Sequence, residues 1–204
     1  YFERERSAAA APDLHIPLVI EPLDSPLPPP TFDDGRTAAG IRRVTSQLRA
    51  KAAMSAVNSA PALPAWVSTK PNVFNPPASP GDIAYTALDA AYTMAPYALA
   101  PDEALVITGR FPKCRFANVV VWNAYQMSYD YAHRSSSRNR KQTVLEPDGS
   151  FRIVLAHADP GVPNWIDTEG RPSGIVFWRF FLPEERPLTP VGRVVKLTAL
   201  RART

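Results

Sequence analysis

The stretch HADPGVPNWIDTEGRPSG, residues 157–174, concentrates the residue types that do chemistry: His157, Asp159, Asn164, Trp165, Asp167 and Glu169. With Asp130 and His133 upstream, this part of the chain offers two histidines and several carboxylates, the raw material of general acid–base catalysis or of a metal site. A His-x-Asp step on a strand puts His157 and Asp159 on one face, as an acid–base pair requires. The competing reading is local. His157 ends an apolar run beside Asp-Pro-Gly, where Asp159 most simply bonds its own backbone and opens a turn. No standard metal-ligand spacing occurs, so neither a metal nor a cofactor is expected.

Other residues invite the same double reading. Asn164-Trp165 either pins a loop, the Trp buried with a partner for its ring N–H, or lines a ligand pocket. Arg179 sits mid-strand in FWRFF, sharing a face with Phe177 and Phe181, while Trp178 and Phe180 share the other. A guanidinium there is costly unless paired. It is expected to be at least half buried, on an acidic or carbonyl partner, the available acids being Asp130, Asp159 and Asp167, with Asp167 favoured; alternatively it presents its fork to an anionic or hydroxylated ligand. Residues 129–142, YDYAHRSSSRNRKQ, read as a solvated loop or as a cover over a pocket mouth. Cys114 lies between Lys113 and Arg115, which would favour its thiolate, but no partner for a thiol nucleophile can be named.

These residues need elements to hold them. Residues 1–35 read as an extended, proline-rich arm in which HIPLVIEPL allows one edge strand. Residues 36–58 form the one clear helix. Ile41, Val44 and Leu48 make its apolar stripe, Asp33 or Asp34 caps its start, and Asn58 ends it. Residues 59–81 are a Pro/Asn/Ser loop. From 82 to 204 short apolar runs alternate with turns: Ala104–Thr108, the β-rich 116–127, two strands joined by Pro147-Asp148-Gly149, a strand at 174–182, and a last one in GRVVKLTAL. The fold class is therefore mainly β. It is an antiparallel, jelly-roll-like β-sandwich with one N-terminal helix and an extended proline-rich arm. The segment 157–174 is expected to be a turn-rich connection with Trp165 buried.

Composition narrows the function classes. The net charge is +4, and the positive residues are scattered apart from Arg134–Lys141, which argues against nucleic acid. One cysteine excludes an internal disulfide and a cysteine-based zinc site. No 18-residue apolar run suggests a membrane span. No signal peptide is visible, and a cytoplasmic location is the default reading. The chain starts at Tyr1 without a methionine, which suggests processing or the C-terminal part of a longer polypeptide.

The order Asp148-Gly149-Ser150, a strand, a proline-bearing loop, Asn164-Trp165, and a strand carrying Arg179 and ending at Pro183 resembles the domain of unknown function 1214 family. The likeness covers about residues 85–197, including the upstream YALAPDEALVITGRFPKCRFANVVVWNAYQMSYDY. It implies a β-sandwich, often preceded by a second domain, and supplies no reaction. YFERER at Tyr1 looks like the junction that closes a preceding half, so the resemblance implies a missing N-terminal half or companion chain, with the arm crossing its surface. Three functions follow as alternatives. The first is a binder of a small hydroxylated or amphipathic ligand, its pocket lined by Trp122, Tyr125, Asn139, His157, Asn164, Trp165 and Arg179. The second is a hydrolase or lyase using His157 with Asp159 or Asp130. The third is a non-catalytic interaction module. Association of the chain with itself is a further open alternative.

Overall fold

The computed structural model describes residues 19–24, 28, 31, 33–55, 63–80, 87 and 89–201. Most of the arm, the YFERER junction and Asn58 lie outside them. The chain falls into two compact units that divide at Val44/Thr45, within helix α1 (Asp34–Ser55). The helix starts two residues earlier than its periodicity suggests, because Asp33 is the cap: its carboxylate accepts from Arg36 N at 2.7 Å and its carbonyl from Thr37 N at 2.9 Å. Ile41, Val44 and Leu48 form a stripe that is exposed. Among the described residues no helix is long and apolar enough to cross a membrane.

The second unit is a β-sandwich of two four-stranded sheets. The strands are β1 (Ala90–Ala98), β2 (Glu103–Gly109), β3 (Phe116–Trp122), β4 (Ser137–Asn139), β5 (Phe151–Ala156), β6 (Trp165–Asp167), β7 (Ser173–Phe181) and β8 (Val191–Lys196). The first sheet has the order β1-β7-β3-β4 and the second β6-β5-β2-β8. All pairings between these strands are antiparallel except β5–β6, which is parallel, so the sandwich is largely antiparallel as expected. The 157–164 connection brings the chain back so that Trp165 lies beside Val154 and runs in the same direction.

Alternation along the first sheet is strict. Ala117, Val119 and Val121 of β3 and Val176, Trp178 and Phe180 of β7 face inward, all at 0–1% exposure. They pack on Leu105, Ile107, Phe151, Ile153 and Leu155 of the second sheet. Trp178 stacks on Phe151 at 5.0 Å and near-parallel to Phe180 at 5.8 Å. The second sheet reads as continuous apolar runs because it is covered on both faces. Ala104, Val106, Val154 and Ala156 face away from the sandwich interior, into a second cluster with Trp165, Leu197 and Leu200. The last two belong to a short helix α2 (Leu197–Arg201), so the strand expected through GRVVKLTAL stops at Lys196.

Two further features differ from the sequence reading. Strand β1 was not apparent in ALDAAYTMAPYALA, whose alanines and Pro96 are weak strand formers. It is held by nine residues of pairing with β7. On its other side runs residues 63–80, a strap within the proline-rich 59–81 loop. Val67 and Ala78 bridge to Met94 and Tyr92, and the Asn72 side chain both accepts from Ala98 N and donates to Ala98 O. Phe74 of the strap enters the core at 6% exposure. The hairpin at Pro147-Asp148-Gly149 keeps its turn, with Gly149 at φ 80°, but its first arm shrinks to a single Leu145–Phe151 bridge.

Gly174 shows how tightly β7 is seated. A β-carbon there would stand 2.5 Å from the Trp122 carbonyl oxygen, 2.6 Å from the Tyr129 hydroxyl and 2.7 Å from Cε1 of Tyr97. The two tyrosine hydroxyls, themselves 2.6 Å apart, cannot move away without breaking their bond. Gly174→Ala is expected to destabilise the domain by about 1–3 kcal/mol. Thermal melting of purified protein should register this as a drop of several degrees; an unchanged melting temperature would show that the neighbourhood yields.

Candidate functional site

The outer face of the first sheet can be read from register. Tyr92, Arg179, Asn118 and Asn139 are successive partners across β1, β7, β3 and β4, forming one polar row. The next row is Met94, Phe177, Val120 and Ser137, and Trp122 lies beyond it on β3. The aromatic rings join into one array. Phe177 stacks on Trp122 at 4.6 Å and on Tyr92 at 5.4 Å, and Trp66 of the strap meets Tyr92 at 5.6 Å. Tyr92 and Phe177 are buried at 6% and 7% exposure.

Arg179 is exposed on this face, which corrects the expectation that it is at least half buried on an acid. Its guanidinium lies 5.7 Å from the ring centres of both Tyr92 and Phe177. It takes no part in the hydrogen bonds or ion pairs of the described residues. The apolar stems and ring faces support the cation while leaving its N–H edges toward water. Two neighbouring polar atoms, Asn118 Oδ1 and Trp66 Nε1, are buried with no hydrogen-bond partner among the described residues. The face thus combines an unengaged cationic fork, an unpaired amide oxygen and aromatic surface.

Asp167, the favoured partner of Arg179, is taken by Arg134 at 2.7 Å and caps Glu169 N at 2.7 Å. The pair holds the Arg134 guanidinium above its ordinary pKa. The same end of the molecule carries Asp130 with His133 Nδ1 at 3.0 Å, both exposed. The imidazole hydrogen bond lowers the Asp130 pKa, and the Asp130 backbone N–H donates to Glu169 at 2.6 Å. The buried Tyr97–Tyr129 hydroxyl pair lies under Arg171, whose guanidinium is 5.4 Å from the Tyr129 ring; burial pushes the pKa of both tyrosines up.

The catalytic pairs expected for His157 are not formed. Strand β5 ends at Ala156, so His157 turns to Thr168 Oγ1 at 2.6 Å, while exposed Asp159 accepts from Gly161 N at 2.8 Å and makes the turn. Asp130 is engaged by His133. Among the described residues no group of three or more His, Cys, Asp or Glu could hold a metal.

The single expected pocket is divided between the sheets. Trp122, Asn139 and Arg179 share the outer face of the first sheet, though Asn139 Oδ1 is committed to capping the 3₁₀ turn Arg140–Gln142. Tyr125 is exposed in the following loop. Asn164 and Trp165 belong to the edge of the second sheet. Trp165 is partly rather than fully buried and donates its ring N–H to Ala156 O at 3.1 Å. Asn164 is a clamp: its Oδ1 accepts from Val144 N, and its Nδ2 donates to Val144 O and Arg152 O, all at 3.0 Å or less. Its φ of 61° suits asparagine better than almost any other side-chain-bearing residue. Segment 157–174 is therefore the turn-rich connection expected, enclosing the three residues of β6. Sequence reasoning missed Trp66, Tyr92 and Asn118, which join Arg179 only through pairings between strands distant in the chain.

The Cys114 environment also differs from expectation. Burial pushes its thiol pKa up, and the positive charge of Arg140 only partly opposes this. Flanking Lys113 and Arg115 do not set its ionisation.

No protein-family model matches the chain, and no curated protein does. Among solved structures, an uncharacterised protein from Burkholderia cenocepacia is similar at 35% identity with a TM-score of 0.58, over 61% of this chain and 35% of that one. The VPA0106 protein from Vibrio parahaemolyticus shares 18% identity with a TM-score of 0.46, over 57% of this chain and 33% of its own. The matched region thus spans about a third of the length of either protein.

Two outcomes check this geometry. Asn164→Asp removes both donors of the clamp and sets a carboxylate against two carbonyls, so chemical denaturation should show a loss of about 2–4 kcal/mol. A variant as stable as the parent would mean that the loop is held elsewhere. Cys114 should react with iodoacetamide at neutral pH more slowly than N-acetylcysteine, because less thiolate is present, and the difference should close on unfolding.

Proposed function

We propose that this β-domain binds a small amphipathic ligand on the outer face of its first sheet, with Arg179 gripping a carboxylate or hydroxyl group and the Trp66/Trp122 surroundings receiving the apolar body. The observation that carries the reading is the exposed guanidinium over Tyr92 and Phe177, with no hydrogen bond or ion pair among the described residues. A planar fork held on ring faces is preorganised for bidentate contact, so little side-chain freedom is lost on binding. The resemblance to the domain of unknown function 1214 family adds a companion half to this reading, in keeping with similar structures of which the matched region is about a third.

A second reading, a docking module for that companion, rests on a different surface. Val191 and Val194 of β8, the edge strand of the second sheet, are exposed, as is Leu188 just before it. The enzyme alternative gains no such observation, since His157 engages Thr168 and Asp159 makes a turn.

Titration calorimetry with 3-hydroxydecanoate, decanoate and cellobiose tests the ligand reading. The hydroxy acid should bind saturably and more tightly than either control. Arg179→Met should weaken it at least tenfold, about 1.4 kcal/mol. Stability should change by no more than about 1 kcal/mol, the scale of an exposed cation–π contact. Equal binding by the Met variant, or a collapse of the fold, would remove Arg179 from this role.

A further inference from the structure

We infer that a second site, independent of Arg179, takes an alkylammonium or alkylguanidinium group at Asp89. A cavity of about 590 Å³ lies where the strap, the start of β1 and the chain after β7 meet. It is lined by Pro77, Ala78, Asp89, Ala90, Pro183 and Arg186, among other residues. Its size falls within the range of small-molecule sites.

Asp89 is held in place by its backbone, whose carbonyl accepts from Leu182 N at 2.9 Å. Both of its carboxylate oxygens are buried, and neither has a hydrogen-bond partner among the described residues. A buried carboxylate without donors is strongly unfavourable, and proteins normally pair it. Among the described residues that line the cavity, the one cation does not do so: Arg186 turns its Nε to Pro77 O at 3.3 Å. Glu184 is engaged by Lys113 at 2.8 Å, on the exposed side.

The missing partner is thus a cation with N–H donors, because two acceptor oxygens need hydrogen bonds as well as charge. The Pro77, Ala78, Ala90 and Pro183 lining suits a methylene body. Glu184 and Glu185 line the cavity beside Arg186, so its charged lining as a whole favours a cation. A free amine and a Lys or Arg side chain of a partner protein share this chemistry.

The test uses the full chain with n-butylguanidinium, n-butylammonium, tetramethylammonium and the capped tripeptide acetyl-Gly-Arg-Gly-amide, at constant ionic strength. Calorimetry should show saturable binding of at least one donor-bearing cation and none of tetramethylammonium, which has the charge but no N–H. Binding by the alkyl cations identifies a small-molecule site; binding by the peptide alone identifies a partner's side chain. Either result should weaken at least tenfold in Asp89→Asn and survive in Arg179→Met. Without ligand, Asp89→Asn should melt at the same temperature as the parent or higher, because it removes an uncompensated buried charge. The inference is overturned if the parent binds none of the donor-bearing probes, if tetramethylammonium binds equally, or if Asp89→Asn binds as the parent does. A clearly lower melting temperature for ligand-free Asp89→Asn would also overturn it, since the carboxylate would then have a partner within the fold.

Discussion

Strand β7 pairs along nine residues with β1 on one side and along seven with β3 on the other, and its two faces face opposite demands. Inward, Val176, Trp178 and Phe180 fill the space between the sheets. Outward, Phe177 and Arg179 hold the aromatic array. A one-residue slip would exchange these faces and drive a guanidinium into the interior. Gly174, crowded by Trp122, Tyr97 and Tyr129, leaves no room for a side chain where β7 begins. The core and the candidate ligand face are two outcomes of one register.

The sheets are joined at one edge by polar contacts between their shortest strands. Trp165 O of β6 accepts from Ser135 Oγ and from Nε and Nη2 of Arg138 on β4, while Arg134 pairs with Asp167. These bonds use the backbone atoms that a free edge would expose. They also explain why so many of the chemically suggestive residues of 157–174 are engaged in structure. Asp159 makes a turn, Asn164 ties the Val144 backbone to β5, Asp167 fastens the edge, and His157 meets Thr168.

Much of the architecture was legible from local pattern. The Asp33 cap, the strands at 103–109, 116–122 and 173–181, and the turn at Pro147-Asp148-Gly149 all followed from periodicity and turn chemistry. What escaped has a common cause. Strands β4 and β6, three residues each, exist because of partners supplied by other strands. Alternation showed that Phe177 and Arg179 share a face, but two apolar faces compete in FWRFF, and only tertiary packing decides that Trp178 and Phe180 go inside. The candidate site was legible in Arg179 and Trp122, and hidden in Trp66, Tyr92 and Asn118, whose proximity depends on long-range pairing.

The strap at 63–80 runs along β1 through five backbone hydrogen bonds, two isolated bridges among them, and the Asn72 side chain, without a strand of its own. Its prolines, Pro64, Pro71, Pro76, Pro77 and Pro80, donate no backbone hydrogen bond and contribute in a different way. Each fixes φ before folding begins, which leaves the unfolded chain with fewer conformations to surrender, by roughly 0.4–1 kcal/mol per compatible site. The strap is therefore anchored partly from the denatured side of the equilibrium. The aromatic face it completes with Trp66 inherits an entropic advantage that no contact in the folded molecule displays.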